Sequence, residues 1–148
     1  MGQTNSISAE IEIQAPPSAF LEFSKYKQWS QKWAFEPTEP GKDPSDLKDG
    51  DKIKVDMGGM AFSPVIMENT IETLQWVGSI PLLFTGKHEF WFNPSEQNSG
   101  GTKFIQVEEF RGLLAFLMAP RWGFRQKTLV GWNQFNEDLK KEVERRPF

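Results

Sequence analysis

The sequence predicts an α+β domain in which a curved antiparallel sheet wraps around one long C-terminal helix. Three observations predict it. Six segments alternate apolar and polar residues with period 2, most of them joined by short turns. Two short stretches of helical spacing follow the first of these, and a long amphipathic stretch closes the chain. At 148 residues the chain suits one domain over residues 1–148, with residues 1–5 a flexible lead.

The first strand covers residues 6–14, where Ile7, Ala9, Ile11 and Ile13 share one side, and Ala15-Pro16-Pro17-Ser18 stops it. Phe20, Phe23, Tyr26, Trp29 and Trp33 then recur at helical spacing, giving two short helices just after the proline pair. Residues 36–50 hold three prolines and two glycines and read as a strand end and an exposed loop. Residues 51–57 form a strand with Ile53, Val55 and Met57 on one face, and Gly58-Gly59 suits a two-residue hairpin turn, whose central positions need positive φ. Residues 60–68 return antiparallel, and residues 74–79, 84–93 and 102–111 continue the meander. Pro94 and Gln97-Asn98-Ser99-Gly100-Gly101 mark its last hairpin. Residues 113–118 are an apolar segment ended by Pro120. From residue 123 to 146, Phe124, Trp132, Phe135, Leu139 and Val143 recur mostly at three- and four-residue steps, with charges on the other face.

Composition excludes several function classes. With no cysteine and the single histidine His88, no disulfide framework, thiol nucleophile, iron–sulfur cluster or histidine-rich zinc site is expected. Seventeen basic residues stand against 20 acidic ones, a net charge of −3, with no basic stripe, so nucleic acid is not an expected partner. No apolar run is long enough to span a membrane, and the first residues are polar and mixed, so neither a span nor a secretory signal is expected and the location predicted is cytoplasmic. Met1-Gly2-Gln3-Thr4-Asn5-Ser6 fits the short pattern for myristoylation of Gly2, but no polybasic patch follows it. The unusual quantity is aromatic. Thirteen Phe, 6 Trp and 1 Tyr make 14% of the chain against a hydrophobic total of 38%, so much of the apolar material is ring.

If the last hairpin turns near Asn98, Phe92 pairs with Phe104, Phe90 with Gln106 and His88 with Glu108, and the preceding turn pairs Trp76 with His88. All of these share the even face of the meander with Phe62, Phe84 and Phe110. A carboxylate beside an imidazole in apolar surroundings suits a general acid or base, and equally suits a buried polar pair that satisfies itself. A slip of one residue would put the two on opposite faces. Lys52, Lys54 and Asp56 fall on the solvated face. Glu68 falls on the even face near a strand end. Tyr26, the sole phenol, is a candidate hydroxyl donor, and Arg111, Arg121 and Arg125 cluster around Pro120. Phe124, Thr128, Gly131, Trp132 and Phe135 lie on the inner stripe of the last helix. The small Thr128 and Gly131 favour a lined cavity over a solid core. Residues 80–84 and 113–122 offer apolar loops for a gate or a homodimer contact.

These residues resemble the SRPBCC superfamily, also called the START or helix-grip fold, and within it the polyketide cyclase and dehydratase-like branch. Ile11-Glu12-Ile13-Gln14-Ala15-Pro16 followed by a helix and Trp29 resembles the family's entry, and Leu74-Gln75-Trp76-Val77-Gly78 its Leu-x-Trp-x-Gly strand. Gly86-Lys87-His88-Glu89-Phe90, Gly101-Thr102-Lys103-Phe104 and Glu108-Glu109-Phe110-Arg111-Gly112-Leu113 resemble the next strands, and Gly123-Phe124 with Asn136-Glu137-Asp138-Leu139-Lys140 the last helix. The resemblance runs from about Ile7 to Glu144. Members often carry a second histidine where this chain has Gln106. The resemblance implies binding of a small hydrophobic molecule, polyketide- or terpenoid-like, and cofactor-free cyclisation, dehydration or isomerisation. His88 would move the proton, with Glu108 orienting it and Tyr26 assisting. Phe62, Trp76, Phe84, Phe90, Phe104, Gln106, Phe110, Phe124, Thr128, Gly131, Trp132 and Phe135 would line the ligand, with no cofactor and no metal. A carrier or sensor without chemistry, and an interaction module of the chaperone-activator kind, are the alternative expectations.

Overall fold

A computed structural model describes residues 3–20, 33–43, 46–57, 61–80, 84–112 and 123–145. Five strands form the main sheet in the order β1-β8-β7-β6-β5, namely β1 (Gln3–Ile13), β8 (Thr102–Gly112), β7 (Phe84–Pro94), β6 (Thr73–Ile80) and β5 (Val65–Asn69). A smaller sheet holds β2 (Trp33–Pro37), β3 (Ile53–Met57) and β4 (Ala61–Phe62). A 3-10 helix, Pro17–Phe20, follows β1, and the helix α1 (Gly123–Arg145) ends the described chain. Of the two expected short helices only the first turn is seen, and Trp33, expected at helical spacing, instead opens β2, where it pairs with Met57. Residues 21–32, the Gly58-Gly59 turn, Gly2, Tyr26, Arg121 and the segments 81–83 and 113–122 lie outside the described residues.

Three departures from the sequence pattern have local causes. β1 starts at Gln3, so residues 3–5 are paired rather than a loose lead, because β8 extends to Gly112 and offers Phe110, Arg111 and Gly112 as partners. The strand expected over residues 60–68 is two strands, β4 on the small sheet and β5 on the large one. Pro64 lies at the break and has no N–H to donate to a ladder. Its carbonyl still accepts from Ile53 N at 3.2 Å, and Lys52 bridges Val65, so the two sheets join at this corner. Beyond it, a bulge between Ile66 and Glu68 places Ile66 opposite Trp76 but Glu68 opposite Gln75. Glu68 therefore leaves the inner face on which alternation had put it. It is exposed and accepts a hydrogen bond from Gln75 Nε2 at 3.2 Å.

Elsewhere the pleat does what alternation dictates. Ile7, Ile13, Phe90, Phe92, Phe104 and Phe110 are buried on the inner face, while Thr85, Lys87 and Arg111 point out. The helix lies along β1. Arg125 Nη1 donates to Ser6 O at 3.0 Å near one end and Lys140 Nζ to Glu12 O at 2.7 Å near the other. Its buried stripe is Trp132, Phe135, Asn136, Leu139 and Val143, the spacing of one helical face. Phe35 of the small sheet reaches into this core and meets the rings of Trp76 (5.3 Å), Phe90 (6.1 Å) and Phe135 (5.9 Å). The last turns of α1 are tied down by Glu144, which accepts from Gln14 N at 2.8 Å and pairs with Lys140 at 2.6 Å. Partial burial opposes its charge, but the Lys140 ammonium and the Gln14 N–H outweigh that and hold the carboxyl below its ordinary value.

Two stability outcomes follow. Phe35→Ala removes the ring that joins the sheets and costs about 3–5 kcal/mol by urea unfolding. Glu144→Gln costs about 1 kcal/mol at neutral pH, a figure kept low because the site is partly exposed. A carboxyl with a depressed folded value stabilises above its unfolded value, and that contribution is lost as pH falls through the folded one. The Glu144→Gln penalty should therefore shrink in acid; a penalty that holds or grows there would show that the ion pair is not its source.

Candidate functional site

The β7–β8 ladder pairs His88 with Glu108, Phe90 with Gln106 and Phe92 with Phe104, and β6–β7 pairs Trp76 with His88. These are the registers the sequence predicts. His88 is 1% exposed. Its ring stacks on Phe90, with centroids 4.4 Å apart and planes 14° from parallel, and is flanked by Trp132 at 4.8 Å and Trp76 at 5.2 Å. Around this group Phe90, Phe104 and Phe135 lie 6.0 to 6.4 Å from one another, and Phe20 and Phe92 continue the stack.

A polar chain crosses this aromatic interior. His88 Nε2 and Gln106 Oε1 are 2.9 Å apart, and Gln106 Nε2 donates to Asn136 Oδ1 at 2.6 Å. On the other side of the ring, Nδ1 lies 3.6 Å from Glu108 Oε1, too far for a hydrogen bond. Two atoms of the chain, His88 Nδ1 and Asn136 Nδ2, are buried without a partner. Such an atom ordinarily costs about 1–3 kcal/mol, so the pattern marks a place where stability is given up. The Glu108 side chain is 16% exposed, against 1% for His88, so exposure falls along the chain from carboxylate to imidazole. The Glu108 carboxylate also packs over Gly86, where an added Cβ would lie 3.4 Å from its carbon and Oε2.

Of the residues expected to line a ligand, Trp76, Phe90, Phe104, Gln106, Phe110, Trp132 and Phe135 are buried together. Gln106 is engaged at both ends of its amide. Phe62 is half-buried, edge-on to Trp76 with centroids 6.5 Å apart. Thr128 and Gly131 are half-buried on α1, and a Cβ on Gly131 would meet none of the described residues within 4 Å. The side chains of Phe84 and Phe124 lie outside the described residues, as does Tyr26. An open pocket of about 280 Å³ on the small sheet, lined by Glu36, Lys54, Val55, Asp56, Ala61, Phe62 and Ser63, touches none of the polar chain. Among the described residues no group of three or more His, Cys, Asp or Glu could hold a metal ion, and no helix there is long and apolar enough to cross a membrane. Sequence reasoning missed Asn136 as a site residue. Its signal was present, since position 136 continues the apolar stripe of α1 with an amide.

No family model matches the chain, and no curated protein is significantly similar to it. Solved structures are. A hypothetical protein from Helicobacter pylori superposes with a TM-score of 0.73 at 13% identity, covering 94% of this chain and 88% of that one. A START superfamily protein from Mycobacterium smegmatis gives 0.64 at 16% identity, covering 95% and 97%. The fold is a helix-grip fold, like that of this START superfamily protein. Within the helix-grip proteins, a norcoclaurine synthase from Thalictrum, solved as a point mutant with a transition-state analogue, superposes at 0.65 with 12% identity and covers 97% and 96%.

One substitution probes the site's geometry. Gly86→Val places methyl groups where the Glu108 carboxylate lies, and should move that carboxylate away from His88 while the strand remains. A crystal structure of the variant with Glu108 unmoved would show that Gly86 has no part in seating it.

Proposed function

We propose that the protein binds a flat hydrophobic small molecule, polyketide- or terpenoid-like, at the Glu108 end of the helix-grip core and catalyses its cofactor-free cyclisation, dehydration or isomerisation by proton transfer at the His88–Glu108 pair. The observation that carries this is the unpartnered Nδ1 of a buried imidazole, 3.6 Å from a partly exposed carboxylate inside an aromatic shell. A histidine kept for packing alone would be expected to have both nitrogens satisfied. The difference in exposure supports roles opposite to the sequence expectation, in which His88 met the ligand and Glu108 oriented it. The His88 ring is covered on its faces by Phe90 and Trp132 and at Nε2 by Gln106, so Glu108 is the group that meets the ligand. His88 stands behind it as the partner that takes or returns the proton. The norcoclaurine synthase superposition supports placing an enzyme on this fold, and the half-buried Thr128 and open Gly131 support ligand entry along the first half of α1.

The test uses ligand binding and turnover together. Glu108→Gln keeps the shape of the carboxylate and removes its proton chemistry. Turnover of a converted polyketide-like compound should fall about 10²–10⁴-fold, while affinity for an apolar naphthalene dye stays within a few-fold. His88→Phe should behave alike. Unchanged turnover in Glu108→Gln would remove the pair from the mechanism. Tight binding with every compound recovered unaltered would make the protein a carrier.

A further inference from the structure

The polar chain has a direction, and the direction sets which ring nitrogen of His88 carries its hydrogen. Asn136 Oδ1 accepts from Gln106 Nε2, which leaves Gln106 Oε1 as the atom facing His88 Nε2 at 2.9 Å. An amide oxygen has lone pairs only, so Nε2 must carry a hydrogen. In a neutral ring Nδ1 is then a lone pair. That atom has no donor and faces Glu108 Oε1 at 3.6 Å.

We infer that Gln106 and Asn136 are positioning residues that fix His88 in its Nε2–H form, so that Nδ1 faces Glu108 as a lone pair and the pair acts on its ligand first as a base. This rests on the proton-transfer role proposed above and narrows the substrate class to molecules bearing a hydroxyl beside a carbon that carries hydrogen. Glu108 takes the hydrogen from the adjacent carbon, with the His88 Nδ1 lone pair behind it to receive the proton, and the C–H electron pair becomes the new C=C bond. The C–O bond breaks, and the leaving oxygen takes that proton back and departs as water. The pair ends as it began and nothing else is consumed.

Among the described residues, other charged groups do not intrude on the gap. Lys87, Glu89, Glu109 and Arg111 project from the opposite face of β7 and β8, where Arg111 pairs with Glu109. From α1, Arg125 is engaged with Ser6 O. β1 and β6 bring Ile7, Ala9, Trp76 and Gly78 to this level, none of them titratable.

His88 is the only histidine in the chain, so two-bond ¹H–¹⁵N correlation spectra of the ligand-free protein read its tautomer directly. The wild type should show hydrogen on Nε2 and one fixed ring state. Gln106→Leu and Asn136→Leu should lose that single pattern and admit the Nδ1–H form. Asn136→Asp, which keeps an acceptor for Gln106, should retain it. A wild-type ring with its lone pair on Nε2, the pattern of both amides reversed, would overturn the inference, as would a Gln106→Leu spectrum equal to the wild type. If the leucine variants do not fold, the wild-type and Asn136→Asp spectra decide. Because no ligand is present, a fixed Nε2–H ring in a protein that converts nothing would sink the enzymatic role and leave the positioning role standing.

Discussion

The register between β7 and β8 is the constraint on which the site depends. One ladder sets His88 against Glu108, Phe90 against Gln106 and Phe92 against Phe104, so a single choice of pairing fixes both the aromatic wall and the polar atoms within it. Because strand side chains alternate faces, a slip of one residue would send these groups to opposite sides of the sheet. The hairpin at residues 95–101 holds that choice. Ser95 N bonds to Gly101 O, Gly101 N bonds to Asn98 O, and Gly100 adopts a φ of 82° that a residue with a side chain seldom takes. The helix then closes the interior by running along β1, which pairs with the far edge of β8.

Within that frame the interior divides into two regions. Where Phe20, Phe92 and Phe104 stack, the rings pack on one another and contribute as an ordinary core does. Toward Glu108 the inner face changes character. The Glu108 carboxylate lies over Gly86, the described residues leave space beside Gly131, and a polar chain passes from Glu108 through His88 and Gln106 to Asn136. The two unpartnered atoms, His88 Nδ1 and Asn136 Nδ2, are the kind of local departure from packing rules that the proposed site would require.

Much of this was legible in the sequence because period-2 alternation and the helical stripe are strong signals over long elements. The His88–Glu108 pairing followed from the position of the last hairpin, and the inner-face rings followed from parity. What the sequence hid was set by single residues or by tertiary contact. Pro64 divides one expected strand between two sheets, and the bulge after Ile66 turns Glu68 outward. The link from Gln106 to Asn136 joins residues 30 apart, on a strand and on a helix. No local pattern encodes that approach; only the amide at an otherwise apolar helix position hints at it.

Ligand chemistry at the Glu108 carboxylate, with His88 behind it, is tested most directly by a crystal structure of the protein with 2-naphthol, a flat apolar molecule with one hydroxyl. The proposed site requires the hydroxyl within hydrogen-bond distance of the Glu108 carboxylate and the rings against the first half of α1. A naphthol seated instead in the small-sheet pocket of Lys54, Asp56 and Phe62, with Glu108 untouched, would contradict it.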